Sequence, residues 1–437
     1  MAFESWGRYP KAHQEEVFVT WRHKAGSTLV NSMSGPLLPA GQGRSYGDCC
    51  LNDGGAVIHN RLLDRIISFD GVRGVLKCES GVTLQTILSF AVPRGWFLSV
   101  LPGTKLISVG GAIANDVHGK NHHCKGTFGQ YLLEFELVRS DGSVLHCTPQ
   151  ASANFFSATV GGLGLTGFIT WAAIQLKKIE SPLVDSETVK FRNLDEFFHI
   201  SSESASFEYS VAWLDCLATG SGFGRGLFFR GNHSQGEVCS SRRESPRLRV
   251  PFDLPRVCAG YPVMRIFNTS YYHSRRKRIG QRMIHYDPFF FPLDSIHSWN
   301  RIYGKHGFFQ FQCVVPKEAL RELLEQVVES GAGSFLAVLK EFGNLLSPGM
   351  LSFPRPGFTL SLDFPNRGEK TLQRLTSLDE FVRAAGGAIY PAKDATMAPE
   401  SFRQYYPRWE EFSSYIDPRF SSSFWRRVTC QQTNHAS

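Results

Sequence analysis

Residues 101–129, LPGTKLISVGGAIANDVHGKNHHCKGTFG, place six glycines, three histidines and Lys120 in one polar, turn-rich stretch with no charged amphipathic helix. Glycine loses more conformational freedom on folding than any other residue, so such a cluster implies that backbone must approach something closely, a phosphate or a flat ring. A second run, PAGQGRSYGDCCLNDGG, lies at 39–55. Its turns at Gly41, Gly43 and Gly47 can offer successive backbone N–H groups to a pyrophosphate, with the Ser45 and Tyr46 hydroxyls beside them. A purely structural turn is the competing reading. Neither run is a GxxxxGK[ST] loop, nor a GxGxxG followed by a helix and a ribose-binding acid. Two such loops, each between apolar strand-like runs, point to a large cofactor held by main chain.

His118, His122, His123 and Cys124 invite a zinc reading, since an i, i+4 spacing suits two ligands on a helix. Gly119 interrupts it and no HExxH is present, so the expectation is no metal, with one histidine touching a cofactor. Serine-nucleophile chemistry is unsupported, because no GxSxG occurs. In YPAKDATMAPESFRQYYPRWEEF (390–412) the Lys393-Asp394 pair is either an ordinary surface pair or a buried base or anion holder, since a lysine pKa falls readily on burial.

These residues need a scaffold. Residues 55–170 alternate short apolar runs (GAVIHN, LDRIISFD, GVLKCESG, GFITWAAIQL) with Gly, Asp and Ser turns, which reads as short strands. Helices are predicted near 83–94 and 151–159. Beyond about 180 the pattern changes. FEYSVAWLD (207–215), GFFQFQCVV (307–315) and FTLSLDF (358–364) alternate like strands. The period of two puts Phe308, Gln310 and Gln312 on one face of the second, and Thr359, Ser361 and Asp363 on the polar face of the third. KEALRELLEQVVES (317–330) carries a helical apolar stripe, and a further helix runs from about 370 to 385, ending at Gly386-Gly387. The fold class is α+β, with an antiparallel sheet whose polar face walls a pocket.

The chain has 437 residues, enough for two domains, with ordinary soluble composition (42% hydrophobic, 20% charged) and 13% aromatics. The net charge of +8 permits an anionic ligand or a membrane surface and does not require nucleic acid. Basic clusters at 241–249 and 275–282 read either as solvated loops or as attraction to a phosphate-bearing or membrane-held substrate. Ten cysteines without a CxxC pair read as free thiols in a reducing compartment. The N-terminus lacks an apolar signal region, and no apolar run is long enough for a membrane span. A cytoplasmic protein is expected, with peripheral contact at the inner face of the membrane left open.

Taken together, WGRYP (6–10), GRSYGDCCLNDGG (43–55), residues 100–129, ATVGGLGLTGFI (158–169), SVAWLDC (210–216), WNRIYGKHGFFQFQCVVP (299–316), SFPRPGFTLSLDFP (352–365) and YPAKDATMAPESFRQYYPR (390–408) resemble the FAD-dependent decaprenylphosphoryl-β-D-ribose 2′-oxidases, within the vanillyl-alcohol-oxidase/PCMH flavoprotein superfamily. The similarity runs almost end to end. It implies a two-domain PCMH/VAO-type fold: an FAD domain over 1–180, a substrate domain over 181–387, and a segment 388–437 completing the FAD domain. By motif, it implies FAD contacts from Gly41, Gly43, Arg44, Ser45, Tyr46, Gly47, Gly103, Ser108, Gly110, Gly111, Asn115, His118, Ile169 and Tyr390. Where many superfamily members bear a flavin-linked histidine in a GHS-type motif, this chain has Arg44, so FAD is expected to be noncovalent.

The chemistry implied is oxidation of the 2′-hydroxyl of a polyprenylphosphoryl ribose to the 2′-keto sugar. A partner short-chain reductase would complete epimerisation to arabinose, for cell-envelope or other glycan synthesis. Lys393, with Tyr46 and His118, is implied as catalytic, Lys393 either as base or as electrostatic stabiliser. Lys120, Gln312, Lys340, Ser361 and Trp213 are implied at the substrate, although Trp213 also fits a core role. Ser361 aligns with a cysteine that covalent nitroaromatic inhibitors attack in mycobacterial members; a serine offers no thiolate, so no such adduct is expected. The rival functions are an FAD oxidase of a soluble sugar or alditol, and a flavin-binding subunit of a larger complex.

Overall fold

Strand-forming runs separated by glycine turns assemble into two large sheets and two small ones. The computed structural model describes residues 3–32, 35–236, 248–274, 279–331 and 333–430. A three-stranded parallel sheet pairs β1 (Glu15–Phe18) and β2 (Leu37–Ala40) on either side of β3 (Ala56–His59). The next sheet contains β4 (Ile66–Asp70), β5 (Val75–Glu79), β7 (Leu132–Val138), β8 (Val144–Cys147) and β9 (Phe168–Lys178), with β6 (Trp96–Leu98) attached to β9. β9 is central, between β5 and β7, which is why FITWAAIQL is apolar almost without alternation. The helix Leu84–Ala91 begins where predicted: the Thr83 hydroxyl accepts from the Thr86 N–H, and Leu84, Ile87, Leu88 and Ala91 are buried.

The larger sheet is antiparallel and eight-stranded, in the order β14-β10-β12-β11-β17-β18-β16-β19. Its strands are β10 (Leu183–Phe191), β11 (Tyr209–Leu214), β12 (Gly226–His233), β14 (Gly280–His285), β16 (Phe308–Val315), β17 (Ala337–Phe342), β18 (Gly357–Pro365) and β19 (Ala388–Ile389). A short ribbon joins β13 (Leu248–Arg249) to β15 (Ile296–His297). Facing pairs in an antiparallel ladder share a side of the sheet. Gln310 therefore stands beside Asp363, Gln312 beside Ser361, and Ser361 beside Val338, as the alternation predicts. The predicted helices occupy Leu320–Glu329, with a short 3-10 turn before it, and Glu369–Ala384. Gly386 (φ 68°) takes the left-handed conformation just past the latter.

Residues 101–129 are more structured than a turn-rich loop. Ser108 caps a six-residue helix, Val109–Ala114, and a single helical turn follows at His122–Lys125. The pattern hid the first helix because Gly110 and Gly111 are poor helix formers, kept there by close packing. A Cβ on Gly110 would lie 2.9 Å from Asn60 Nδ2. The basic cluster 241–249 falls outside the described residues except for its last two, and 275–282 is described only from residue 279. The nine described cysteines are free thiols. No helix among the described residues is long and apolar enough to cross a membrane.

After β19 the chain returns to the first glycine loop. Ala392 O accepts from the Tyr46 N–H (2.9 Å) and Leu51 O from the Ser423 N–H (2.8 Å). Arg427 bridges Asp48 and Asp394, each at 2.8 Å, and both carboxylates are almost fully buried. Removing the cation strands two buried carboxylates, so Arg427→Met is expected to lower stability by about 3 kcal/mol. Urea unfolding of the variant measures this; a loss within the error of the wild-type value contradicts it.

Candidate active site

The two glycine loops, the polar face of the eight-stranded sheet and the returning segment line one cavity of about 410 Å³.

One end is built from backbone. Gly41, Gly43, Arg44, Ser45 and Tyr46, between β2 and β3, line the wall. Among the described residues no acceptor takes the N–H groups of Gly41, Gln42, Gly43, Arg44 or Ser45. Consecutive unclaimed N–H groups form an anion-binding concavity. The Arg44 guanidinium lies 4.2 Å over the Trp6 ring. Opposite stand Gly103, Ser108, Gly110, Gly111 and Asn115, with Ile169 of β9. Asn115 donates to Gly111 O (2.9 Å), and Tyr390 donates its hydroxyl proton to Asn115 O (2.8 Å).

Four buried polar atoms on this cavity's residues lack partners: Arg44 Nε, Asn60 Oδ1, Asn115 Oδ1 and His118 Nδ1. Unpaired buried polar groups are costly. A bound molecule carrying phosphates at one end and ring donors and acceptors at the other satisfies them, so the residues present fit a dinucleotide such as FAD.

The other end carries side chains. Lys393 ends the 3-10 turn Pro391–Lys393, and its Nζ lies 3.8 Å from the centre of the Tyr46 ring. Burial, reinforced by Lys340, lowers its pKa to about 7, against an opposing pull from Asp363. Burial likewise pulls Lys340 of β17 down to about 8. Asp363 is pushed up to about 7 by burial, although Gln310 Nε2 donates to it at 2.6 Å. Gln312 Nε2 donates to His118 Nε2 (2.9 Å) and to Thr359 Oγ1 (3.2 Å). In that arrangement the His118 proton sits on Nδ1. Burial, then Lys340, His122 and Lys393, hold His118 well below the usual imidazole range, so the ring is neutral. Phe342 and Tyr390 pack against it, with ring centres at 4.9 and 5.2 Å.

Seventeen residues picked from the sequence as cofactor, substrate or catalytic positions thus line this cavity, Gln312, Lys340 and Ser361 included. Three do not. Gly47 faces the returning chain instead: a Cβ there would lie 1.6 Å from Asp394 O. Lys120 Nζ donates to Phe290 O (3.0 Å) and sits behind the wall; burial, then Lys340, lowers its pKa to about 7. Trp213 belongs to a small core with Leu227 and Tyr272, its indole N–H bound to Phe335 O (3.1 Å). Its other available reading, core packing, is the one that holds. His118, His122 and His123 form no three-ligand group with other His, Cys, Asp or Glu among the described residues.

Sequence reading passed over Gln310, Asp363 and Asn60 as site residues. The alternation of FTLSLDF had put Asp363 on the right face, but the sequence could not reveal its burial beside Lys393.

A protein-family model described as "FAD binding domain" matches residues 27–148. The chain is 36% identical over 417 residues to the decaprenylphosphoryl-β-D-ribose oxidase of Mycolicibacterium smegmatis, covering 90% of this chain and 89% of that protein. It is 32% identical over 374 residues to an "uncharacterized protein in mprA 5′ region" of Streptomyces coelicolor, covering 79% of this chain and 100% of that one. A shorter match, 31% over 111 residues, links a quarter of the chain to 22% of the human delta(24)-sterol reductase.

The packing around the glycines yields a paired prediction. Gly47→Ala drives a Cβ into fixed backbone and is expected to destabilise by about 3 kcal/mol. Gly103 has open space at the same position, so Gly103→Ala should stay within about 0.5 kcal/mol of wild type. Thermal melting of the two variants side by side checks both values.

Proposed function

The chain belongs to the decaprenylphosphoryl-β-D-ribose oxidase family of FAD-dependent oxidoreductases acting on CH–OH groups, and on that premise we propose that its substrate is a polyprenylphosphoryl-β-D-ribose, oxidised at the 2′-hydroxyl to the ketone. The observation that carries this reading is that Lys393, Lys340 and a neutral His118 line one cavity where the sheet's polar face meets the backbone cradle, with the buried Asp363 carboxyl acting on Lys393 from outside the lining. We assign residues 1–180 with 388–437 to the FAD unit and 181–387 to the substrate unit. The segment 39–46 and residues 103–115 hold the cofactor. It is noncovalent, because arginine at position 44 cannot make the flavin bond a histidine makes. Acid precipitation of the holoenzyme should therefore leave a colourless pellet and a yellow supernatant.

Oxidising a secondary alcohol requires removal of a hydride and of the hydroxyl proton. FAD, when bound, supplies the hydride acceptor. Lys393 takes the proton: with a pKa near 7 its amine is substantially neutral at neutral pH. The Tyr46 ring beneath the ammonium and the nearby Asp363 then stabilise the charge it acquires. His118, carrying its proton on Nδ1, donates to a substrate oxygen, while Gln312 holds the ring in that tautomer. Lys340 offers a cation to sugar or phosphate oxygens, and Ser361 adds a hydroxyl on the same face. Phe342, Phe353 and Tyr390 exclude water around His118. The 2′-keto product needs a reductase to complete epimerisation, and the lipid tail implies peripheral contact with a membrane.

The pH dependence separates the two roles open to Lys393. As a base it must be neutral, so the rate of flavin reduction should rise with pH through about 7 and level off. As an electrostatic stabiliser it must be charged, and the rate would fall over the same interval. Asp363 favours the ammonium form, so Asp363→Asn should move the rising limb to lower pH. Lys393→Ala should retain FAD yet lose flavin reduction by a factor on the order of 10² to 10⁴. Anaerobic stopped-flow with polyprenylphosphoryl ribose reads all three. Equal bleaching by free ribose or an alditol would favour the soluble-sugar alternative.

A further inference from the structure

Seventeen large apolar side chains are exposed among the described residues, and eight of them fall within residues 248–283. Leu248, Phe252 and Val257 precede the helix Tyr261–Ser274, and each is more than 60% exposed. On that helix Val263, Ile266 and Phe267 are exposed at spacings of three and four residues, which makes one continuous apolar stripe. Such a cluster on a globular protein marks an interaction site.

The charged side chains of this segment are mostly of one sign. Arg249, Arg256, Arg265 and Arg282 lie in the described part of this region. Its single carboxylate, Asp253, is neutralised by Arg8 at 2.6 Å. An apolar stripe edged by arginines matches an anionic lipid surface, where aliphatic groups enter the acyl boundary and guanidinium groups meet phosphates.

The patch is also continuous with the active-site cavity at two points. Leu248 and Arg249 pair with Ile296 and His297, which line the cavity together with Leu293 and Trp299. Phe335 packs on Phe267 (ring centres 5.3 Å apart) and immediately precedes Leu336, another cavity residue.

We propose that the face formed by residues 248–257 and the exposed stripe of the helix Tyr261–Ser274 docks on an anionic bilayer surface, bringing the cavity mouth to the lipid. This deepens the substrate reading above and rests on it for its purpose. A polyprenyl tail is long and apolar, so it partitions into the acyl region of a bilayer. With the face docked, the tail stays in the acyl region while the sugar phosphate enters.

Sedimentation of the holoenzyme with vesicles, with no sugar substrate present, tests it. Vesicles of phosphatidylcholine mixed with phosphatidylglycerol should bind on the order of tenfold more protein than phosphatidylcholine alone, and added salt should weaken that binding. The triple variant Phe252→Asp/Val257→Asp/Ile266→Asp should lose on the order of tenfold of it. Its flavin content, and its rate with a short-chain, water-soluble polyprenylphosphoryl ribose, should match wild type. Absence of wild-type binding, or equal binding by the variant, overturns the proposal. So does a wild-type dimer that the variant converts to monomer, which would make the face a contact between two copies. Because binding is read without substrate, its failure leaves the substrate reading standing. A protein that binds vesicles yet does not oxidise lipid-linked ribose sinks the substrate reading alone.

Discussion

The site depends on one clamp: Arg427 held between Asp48 and Asp394. Asp48 follows the first glycine loop, and Asp394 follows Lys393. A single guanidinium therefore ties the backbone cradle to the lysine-bearing turn, although hundreds of residues separate them in sequence. Its fork geometry suits two carboxylates at once, and both are too deeply buried to be left uncompensated. Gly47 completes the clamp, because its missing side chain lets Asp394 backbone press against the loop. Tyr46 and Lys393 meet as a result of this closure, since neither element positions the other through local structure.

Burial of positive charge is the second constraint. Lys393, Lys340 and Lys120 occupy neighbouring parts of the interior, and burial lowers the pKa of each. Asp363 is the carboxyl that pulls Lys393 the other way, and it is itself pushed up toward neutrality. A group of amines poised near neutral pH, with one carboxyl as partial counterweight, suits both proton removal and attraction of an anionic sugar phosphate. The neutral histidine between them follows from the same field, because nearby lysines disfavour an imidazolium.

Several features are legible in the amino-acid sequence. A period of two places Gln310 and Gln312 on one face and Ser361 and Asp363 on another. The ladder lays those faces side by side, because alternation is a backbone property that survives in any sheet. The glycine runs are legible as places of close backbone approach. Other features are not. Gly47 belongs to the same run as Gly41 and Gly43 yet packs against protein, since only the fold determines which neighbour a glycine meets. Trp213 shares a face of the eight-stranded sheet with the cavity residue Val338, but there the helix Tyr261–Ser274 covers it. Lys120 lies two residues from His118, with its amine turned to a carbonyl behind the wall.

The sequence by itself therefore determined the α+β class, the strands and their polar faces, and the two backbone cradles, because these follow from local periodicity and from the cost of glycine. Its motifs also carried the likeness to a flavoprotein family. Tertiary structure alone decided which side chains converge, how far each is buried, and hence their proton affinities. Those quantities depend on neighbours brought together across the whole chain: Arg427 against Asp48, Lys393 over Tyr46, and Asp363 beneath Gln310.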